Sequence, residues 1–144
     1  MQGQMTQPRE KIRGKHPVTD PYYRYEMEQL MVVSMKGRTC LPNLGIVVKH
    51  LHRPAAHILK WFSTHLNCGV IQPEELQGFH SQLAVREALY AYIQGYVLCP
   101  KCQLPETHLL VGPVGHLTHK CQSCGKQMPS PQSRYAEWLS LIHI

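Results

Sequence analysis

The sequence has no run of eighteen consecutive apolar residues, and this absence predicts that no helix spans a membrane. Residues 1–8 hold no apolar stretch of the secretory type, so we expect a reducing compartment. There is no phosphate-binding glycine loop, which excludes P-loop nucleotide binding. No H-x-E motif, nucleophile–base pair or open metal site is present either, so a conventional enzyme with its own substrate pocket is disfavoured.

Acidic residues are also few: nine Asp and Glu oppose fifteen Lys and Arg, which gives a net charge of +6 and a pI near 9.1. This balance favours an RNA-rich or acidic partner, although the positive charges are scattered and form no block. The length of 144 residues leaves room for one domain of about 80 residues and a smaller unit.

Cysteine is concentrated near the C-terminal end of the sequence. Cys99 and Cys102 form one C-x-x-C pair, and Cys121 and Cys124 form a second after eighteen intervening residues. Two such pairs fit a four-thiolate Zn2+ site in which each pair lies on a tight turn. Four thiolates fill a tetrahedral ion, so we expect a structural site. Metal binding then supplies the folding energy that about 30 residues cannot obtain by apolar burial.

Other interpretations of the cysteines are weaker. A thioredoxin-like site needs one pair, a zinc deaminase needs the missing H-x-E motif, and disulfides fit a reducing compartment poorly. His108, His116 and His119 lie between the pairs and are expected on the surface or facing RNA. Cys40 and Cys68 are expected to be small buried hydrophobes.

Composition divides the chain into four parts. Residues 1–19 are polar and basic, and we expect a flexible leader that a partner could order. Residues 20–95 are predicted to form a small α/β domain that ends in a helix. The zinc ribbon is predicted over residues 96–127. Residues 128–144 form a tail whose apolar end is expected to pack on the body or to meet a partner.

Periodicity and turn residues predict the elements of the α/β domain. Residues 30–35 are expected to form a buried strand, followed by a turn at residues 37–38. Asn43 is expected to cap a first helix, with apolar residues at i, i+3, i+4 and i+7. Pro54 begins a second helix in this interpretation, and Gly69 stops it.

A hairpin and a third helix complete the predicted domain. Residues 70–72 are expected to pair with residues 76–79, and Ser81 to cap a helix that ends at Gly95. Helix, turn, helix and hairpin resemble a winged helix, although the helix pair could serve packing alone. The predicted fold class is α+β: a small, winged-helix-like α/β domain linked by a helix to a C-terminal four-cysteine zinc ribbon.

Four motifs carry a resemblance to a known family. Residues 20–27, D-P-Y-Y-R-Y-E-M, resemble the D-x-F-Y-R-Y-K-M opening of eukaryotic translation initiation factor five. Residues 51–54, L-H-R-P, resemble its L-N-R-P helix junction. Residues 97–107, V-L-C-P-K-C-Q-L-P-E-T, are similar to its V-L-C-P-E-C-x-x-P-E-T ribbon start, and residues 121–125 match C-x-x-C-G. The beta subunit of initiation factor two shares most of these motifs, and its L-H-R-Q carries the histidine found here at 52.

The resemblance implies a cytoplasmic translation initiation factor acting on the small ribosomal subunit, with no membrane partner. Its expected partners are the GTPase initiation factor two, initiator tRNA and other initiation factors. It would promote GTP hydrolysis in start-codon selection without being an enzyme of its own. The family's Y-R-Y arginine has been assigned to hydrolysis, and that position is Arg24, a candidate arginine finger acting in trans. Alternatively, Arg24 stacks on the flanking tyrosines or holds an RNA phosphate.

Several basic residues are candidate contacts to RNA or a partner: Arg13, Lys15, Lys36, Arg38, Arg53, Lys101 and Lys120. The sequence departs from the family where Gln94 and Gly95 replace basic residues before the ribbon. Three functions therefore remain open: a GTPase activator, a beta-like subunit that supports initiator tRNA without accelerating hydrolysis, and a winged-helix and zinc-ribbon module that binds nucleic acid with steep salt dependence.

Overall fold

The computed structural model describes residues 8–71, 74–112 and 116–142. Predictions for residues 1–7, for the hairpin turn at 72–73 and for residues 143–144 lie outside the described residues. The strands are β1 (Arg9–Lys11), β2 (Glu26–Glu28), β3 (Val33–Met35), β4 (Arg38–Cys40), β5 (Val70–Ile71), β6 (Glu75–Gln77), β7 (Thr107–Val111), β8 (Leu117–Cys121) and β9 (Gln127–Pro129). The α-helices are α1 (Leu44–Leu51), α2 (Ala55–Leu66), α3 (Gln82–Tyr92) and α4 (Arg134–Ile142), and a π-helical turn, Ile93–Val97, extends α3.

The strands form three antiparallel sheets. Strands β1 and β2 pair with each other, and a four-stranded sheet has the order β3–β4–β6–β5. A third sheet has the order β7–β8–β9, and Cys121 is the last residue of β8. The mixed α/β architecture expected from the sequence is confirmed, with the four cysteines close together in space.

The first helix buries the apolar face that its periodicity predicts. In α1, Leu44, Val47, Val48 and Leu51 are buried. Asn43 begins this helix, but its side chain makes no capping bond. Its Oδ1 instead accepts the N–H of Met31 at 2.7 Å, and its Nδ2 donates to the carbonyl of Gln29 at 3.0 Å. The residue therefore ties the helix to the chain that follows β2.

The third helix begins as predicted, with the Ser81 hydroxyl accepting the N–H of Ala84 at 3.1 Å. Gly95 does not end it, because the π-helical turn carries the chain on to Val97. Gly69 does not stop α2 either, since α2 ends at Leu66 with Asn67 in the left-handed region at φ 55°. A Cβ on Gly69 would overlap the side chain of Gln77, so this glycine permits close approach to β6.

One strand prediction is wrong, and a second is confirmed in a shorter form. Residues 30–35 are not one buried strand: only Val33–Met35 is a strand, and Val33 and Met35 are 41% and 45% exposed. Strand β3 lies at the sheet edge, so a single neighbouring strand, β4, pairs with it. The predicted hairpin is confirmed in a shorter form, with Val70 opposite Leu76 and Ile71 opposite Glu75.

The described part of the leader, residues 8–19, contacts other parts of the protein through β1 and Ile12. Strand β1 pairs with β2, and Ile12 is 3% exposed within the main core. A single apolar residue among charged neighbours gives no periodic signal, so local sequence could not reveal this packing.

The tail packs on the body, as one of its two expected outcomes. Tyr135, Ala136 and Leu139 of α4 are buried, and the helix contacts α2 and β8. The hydroxyls of Tyr92 and Tyr135 lie 2.7 Å apart, and Tyr96 donates to the carbonyl of Pro131 at 2.8 Å. None of the helices in the described ranges combines the length and the apolar composition needed to span a bilayer.

Candidate functional site

The two cysteine pairs occupy turns of the same hydrogen-bonded design. In the first turn, the N–H of Gln103 donates to the carbonyl of Cys99 at 2.8 Å, and the N–H of Cys99 donates to that of Leu104 at 3.0 Å. The second turn has the same two bonds. The N–H of Gly125 donates to the carbonyl of Cys121 at 2.9 Å, and the N–H of Cys121 donates to the carbonyl of Lys126 at 2.8 Å. The residue after the second cysteine has positive φ in both turns, 62° at Gln103 and 77° at Gly125.

These turns bring the four sulfurs together. The Sγ atoms of Cys99 and Cys124 lie 3.6 Å apart, those of Cys102 and Cys121 lie 3.5 Å apart, and all four fall within 4.8 Å of one another. Sulfurs bound to a tetrahedral ion at about 2.3 Å lie about 3.8 Å from each other. The cluster therefore has the dimensions of a four-thiolate site and could hold a metal ion.

The pKa values of two of the thiols are shifted by burial and by their neighbours. Burial raises the pKa of the Cys99 thiol, but hydrogen bonds from the N–H groups of Cys102 and Lys101 outweigh it and leave the pKa at about 7. Burial raises the pKa of Cys102 to about 12, and the neighbouring sulfurs of Cys121 and Cys99 add to the rise. A bound cation would offset the burial and the mutual repulsion of thiolates at Cys99 and Cys102.

The histidines between the pairs are not part of this cluster, as far as the described residues extend. His116 is exposed and His108 half-buried, but His119 is 2% exposed, so its predicted surface position is wrong. Its Nδ1 lies 2.9 Å from the hydroxyl of Ser130. Burial, together with the positive charge of Arg53, lowers the pKa of His119 and keeps the ring neutral.

The second candidate feature is the segment that carries Arg24, whose side chain is exposed. The flanking tyrosines point back to the protein. The Tyr23 hydroxyl donates to the carbonyl of Ile12 at 2.7 Å, and the Tyr25 hydroxyl donates to Oε2 of Glu106 at 2.9 Å. Lys11 Nζ also donates to the Tyr23 carbonyl at 2.8 Å. Arg24 is thus held on both sides by neighbours bonded to other parts of the chain.

Arg53, predicted to contact RNA or a partner, is 6% exposed, and that prediction is wrong because its guanidinium is engaged inside the protein. One terminal nitrogen donates to the carbonyl of Tyr96 at 2.6 Å and to the hydroxyl of Thr107 at 3.0 Å. The other donates to the Thr107 carbonyl at 3.0 Å. Hydrogen bonds from Arg53 therefore connect the junction between α1 and α2 to Thr107, the first residue of β7.

Sequence reasoning quoted the P-E-T motif at residues 105–107 but assigned no role to it. The structure places Glu106 against Tyr25 and Thr107 against Arg53, so three of the resemblance motifs meet at this point. The sequence offered one signal for a role of these residues, a charged and a hydroxyl residue beside a cysteine turn. It could not identify their partners, because Tyr25 lies 81 positions from Glu106 and Arg53 lies 54 positions from Thr107.

The other basic candidates do not form one surface cluster. The guanidinium of Arg13 lies over the ring of Tyr90 at 4.0 Å, and Arg38 pairs with Glu75 at 3.4 Å. The remaining candidates are exposed, in the leader, in the turn between β3 and β4, and on the ribbon: Lys15, Lys36, Lys101 and Lys120.

Comparison with known proteins agrees with these motifs. Residues 15–127 match a family model for a domain found in initiation factors 2B and 5. The chain is 30% identical over 120 residues to eukaryotic translation initiation factor 5 of Saccharomyces cerevisiae, over 76% of this chain and 29% of that protein. It is 32% identical over 124 residues to the factors of Drosophila melanogaster and Mus musculus, over 79% of this chain and 27% and 29% of theirs. The chain thus matches less than a third of the length of these relatives.

Proposed function

The chain belongs to the translation initiation factor family defined by the domain of initiation factors 2B and 5, and from that premise we propose that it binds the GTPase initiation factor two on the small ribosomal subunit. It promotes GTP hydrolysis there during start-codon selection. Initiator tRNA and other initiation factors are its further partners. The exposed lysines at 15, 36, 101 and 120 are the RNA or partner contacts in this proposal.

The observation that carries the proposal is the exposed Arg24 between two bonded tyrosines. A guanidinium reaching a GTPase site in trans stabilises the charge that spreads over the γ-phosphate oxygens, an effect worth about 10³–10⁵ in rate. Arginine suits this role because it is always charged and offers a planar pair of donors. Anchored neighbours would reduce the entropy lost when the side chain enters the partner's site.

We also propose that the four-cysteine cluster holds Zn2+ and that its role is structural. Four thiolates at tetrahedral spacing leave no position for water or substrate, so the ion would supply folding energy rather than Lewis-acid chemistry. Cys99, Cys102, Cys121 and Cys124 are the proposed ligands.

The division of the chain is part of the same proposal. Helices α1 and α2 followed by the β5–β6 hairpin support a winged-helix-like domain over residues 20–95, and β7–β9 support a ribbon over residues 96–127. The pairing of β1 with β2 adds the described leader to the first unit, and α4 adds the tail to its surface.

The test is single-turnover GTP hydrolysis by initiation factor two, loaded with initiator tRNA on small subunits. The wild-type chain should accelerate hydrolysis, Arg24→Ala should remove about 10³-fold or more of that acceleration, and Arg24→Lys should recover little of it. Arg134→Ala, which removes another exposed arginine from α4, is the matched control and should match the wild type.

Other outcomes identify the alternatives. Binding to the loaded complex without any acceleration would indicate a beta-like subunit that supports initiator tRNA. Tight binding to duplex DNA at about 0.15 M salt, without binding to the complex, would indicate a winged-helix and zinc-ribbon module of another kind.

A further inference from the structure

Glu106 joins two features that the sequence keeps far apart. Its side chain accepts the hydroxyl of Tyr25 at 2.9 Å, next to Arg24. Its backbone carbonyl accepts the N–H of Gln122 at 2.9 Å, inside the second cysteine turn. One residue therefore contacts both the segment that carries the exposed arginine and the turn that carries two of the four sulfurs.

The acceptor of the Tyr25 hydroxyl is a carboxylate oxygen, and the length of 2.9 Å lies within the range of O–H···O hydrogen bonds. Both partners are half-buried, so water competes less for the carboxylate than it would at an open surface. The bond to Glu106 is also the largest cause of the raised pKa of Tyr25, which keeps the phenol protonated as the donor.

We propose that Glu106 is a positioning residue for Arg24: its carboxylate holds Tyr25 and so fixes the Arg24 segment to the cysteine-rich ribbon. The inference rests on the proposed role of Arg24 in GTP hydrolysis. A side chain that acts in trans must meet its target within a fraction of an ångström, and small misplacement costs rate rather than binding. Tyr23, bonded to Ile12, holds the same segment to the leader from the other side of Arg24.

The first experiment measures the segment directly in the full chain. Amide hydrogen exchange is followed in a peptide covering residues 20–26 for the wild type, Tyr25→Phe and Glu106→Ala. Both variants should exchange faster in this peptide. The matched control is Tyr135→Phe, which removes a hydroxyl–hydroxyl bond of 2.7 Å to Tyr92 between α3 and α4. That control should leave the peptide unchanged.

The second experiment measures the rate of GTP hydrolysis at saturating and at limiting concentrations of the chain. Tyr25→Phe and Glu106→Ala should each lower the saturating rate by roughly fivefold, the effect of one ordinary net hydrogen bond, and leave the half-saturating concentration unchanged. Glu106→Gln, which keeps a neutral acceptor, should recover part of the rate. The double variant should be no slower than either single variant, because both remove the same bond.

An Arg24→Ala background separates positioning from general damage. Adding Tyr25→Phe to Arg24→Ala should cause no further loss, since the tyrosine acts through the arginine. A further loss there, or unchanged exchange and saturating rate in Tyr25→Phe and Glu106→Ala, would overturn the inference while leaving the role of Arg24 intact. If the wild type does not accelerate hydrolysis, the proposed function fails, and the exchange measurement alone decides whether the bond fixes the segment.

Discussion

Two regions of the protein are stabilised by different means. They are the helical body, built on α1, α2 and α3, and the cysteine-rich ribbon, formed by β7–β9 and the two cysteine turns. In the body, apolar side chains of α1, α2 and α3 are almost fully buried: Leu44, Ile58, Phe62 and Leu89 are each at most 1% exposed. In the described part of the ribbon, Leu117 is buried, but Leu109 and Val111 are only partly so. The ribbon has instead four sulfurs within 4.8 Å of one another.

This difference shows how a small unit without its own core can still hold a defined position. The ribbon meets the body through the apolar contacts of Leu117 and also through polar bonds, from Arg53 to Thr107 and from Tyr25 to Glu106. Such bonds need their partners fixed, because an unpaired buried polar group is costly. Order in the ribbon should therefore influence the body and the Arg24 segment. The following variants break or sharpen this contrast between body and ribbon, beginning with the largest expected effect.

Loss of one sulfur should affect the ribbon most. In Cys121→Ser the metal content should fall, and amides in β7, β8 and β9 should exchange rapidly, because metal binding at such sites contributes on the order of 10 kcal/mol. The helical signal of the body should largely remain. Metal analysis and hydrogen exchange provide the check, and Cys68→Ser, outside the cluster, is the matched control. A Cys121→Ser protein with full metal content and unchanged exchange would contradict the contrast.

Removal of the arginine that joins the two regions should destabilise both. Arg53→Met leaves the carbonyls of Tyr96 and Thr107 without their donor, and we expect the free energy of unfolding to fall by about 3 kcal/mol. Denaturant titration measures the change. Arg38→Met, which removes a half-exposed pair with Glu75, should cost less than about 1 kcal/mol. Equal losses of unfolding free energy in the two variants would show that the buried hydrogen bonds of Arg53 contribute no more to stability than the half-exposed pair of Arg38 with Glu75.

The tyrosines of the body predict loss of stability at alkaline pH. Burial raises the pKa of Tyr23 and of Tyr90 to about 12, and it raises the pKa of Tyr92, Tyr96 and Tyr135 as well. Between the unfolded pKa of about 10 and the folded values, the unfolded state binds fewer protons than the folded state. Stability contributed by these groups is therefore complete below pH 10 and falls as the pH rises toward 12.

Chemical denaturation at about pH 8, 10 and 11 tests the alkaline prediction, and Tyr90→Phe should reduce the decline at the cost of its bond to Glu10. A free energy of unfolding that stays constant over this range would show that the buried phenols do not control alkaline unfolding.

The smallest expected effect distinguishes the two cysteine turns. Gln103 occupies the left-handed region at φ 62°, where the equivalent residue of the second turn is Gly125 at φ 77°. A side chain is strained in this region, so Gln103→Gly should raise stability by about 0.5 kcal/mol, and Gly125→Ala should lower it by about 1 kcal/mol. Thermal unfolding of the metal-loaded protein gives both values. A change in stability of the same sign in both variants would show that the positive φ does not strain the two turns in the same way.

Much of the fold could be predicted from local sequence. The apolar face of α1, the Ser81 cap of α3, the β5–β6 hairpin and the proximity of the four cysteines are all confirmed. Each of these depends on residues within one short segment or on a spacing that a turn imposes. The predicted ends of α2 and α3 are wrong, because Asn67 rather than Gly69 ends α2 and a π-helical turn carries α3 past Gly95.

The candidate site was predicted less completely. The sequence, through its resemblance, indicated Arg24 and the cysteines, but Arg53 was assigned to RNA and is buried against Thr107. A basic residue in a turn has the same local pattern whether it faces solvent or the interior. Its burial depends on acceptors that the fold delivers from a distant segment.

The sequence by itself determined helices α1, α2 and α3, the cysteine turns and the family of this chain, because periodicity, spacing and motif identity are properties of neighbouring residues. The tertiary structure alone decided that Arg53 is internal, that β3 is an exposed edge, and that Glu106 connects the ribbon to the Arg24 segment. The physical reason is the same in each case. The burial or exposure of these residues depends on which distant groups pack against them, and their local sequence does not encode that packing.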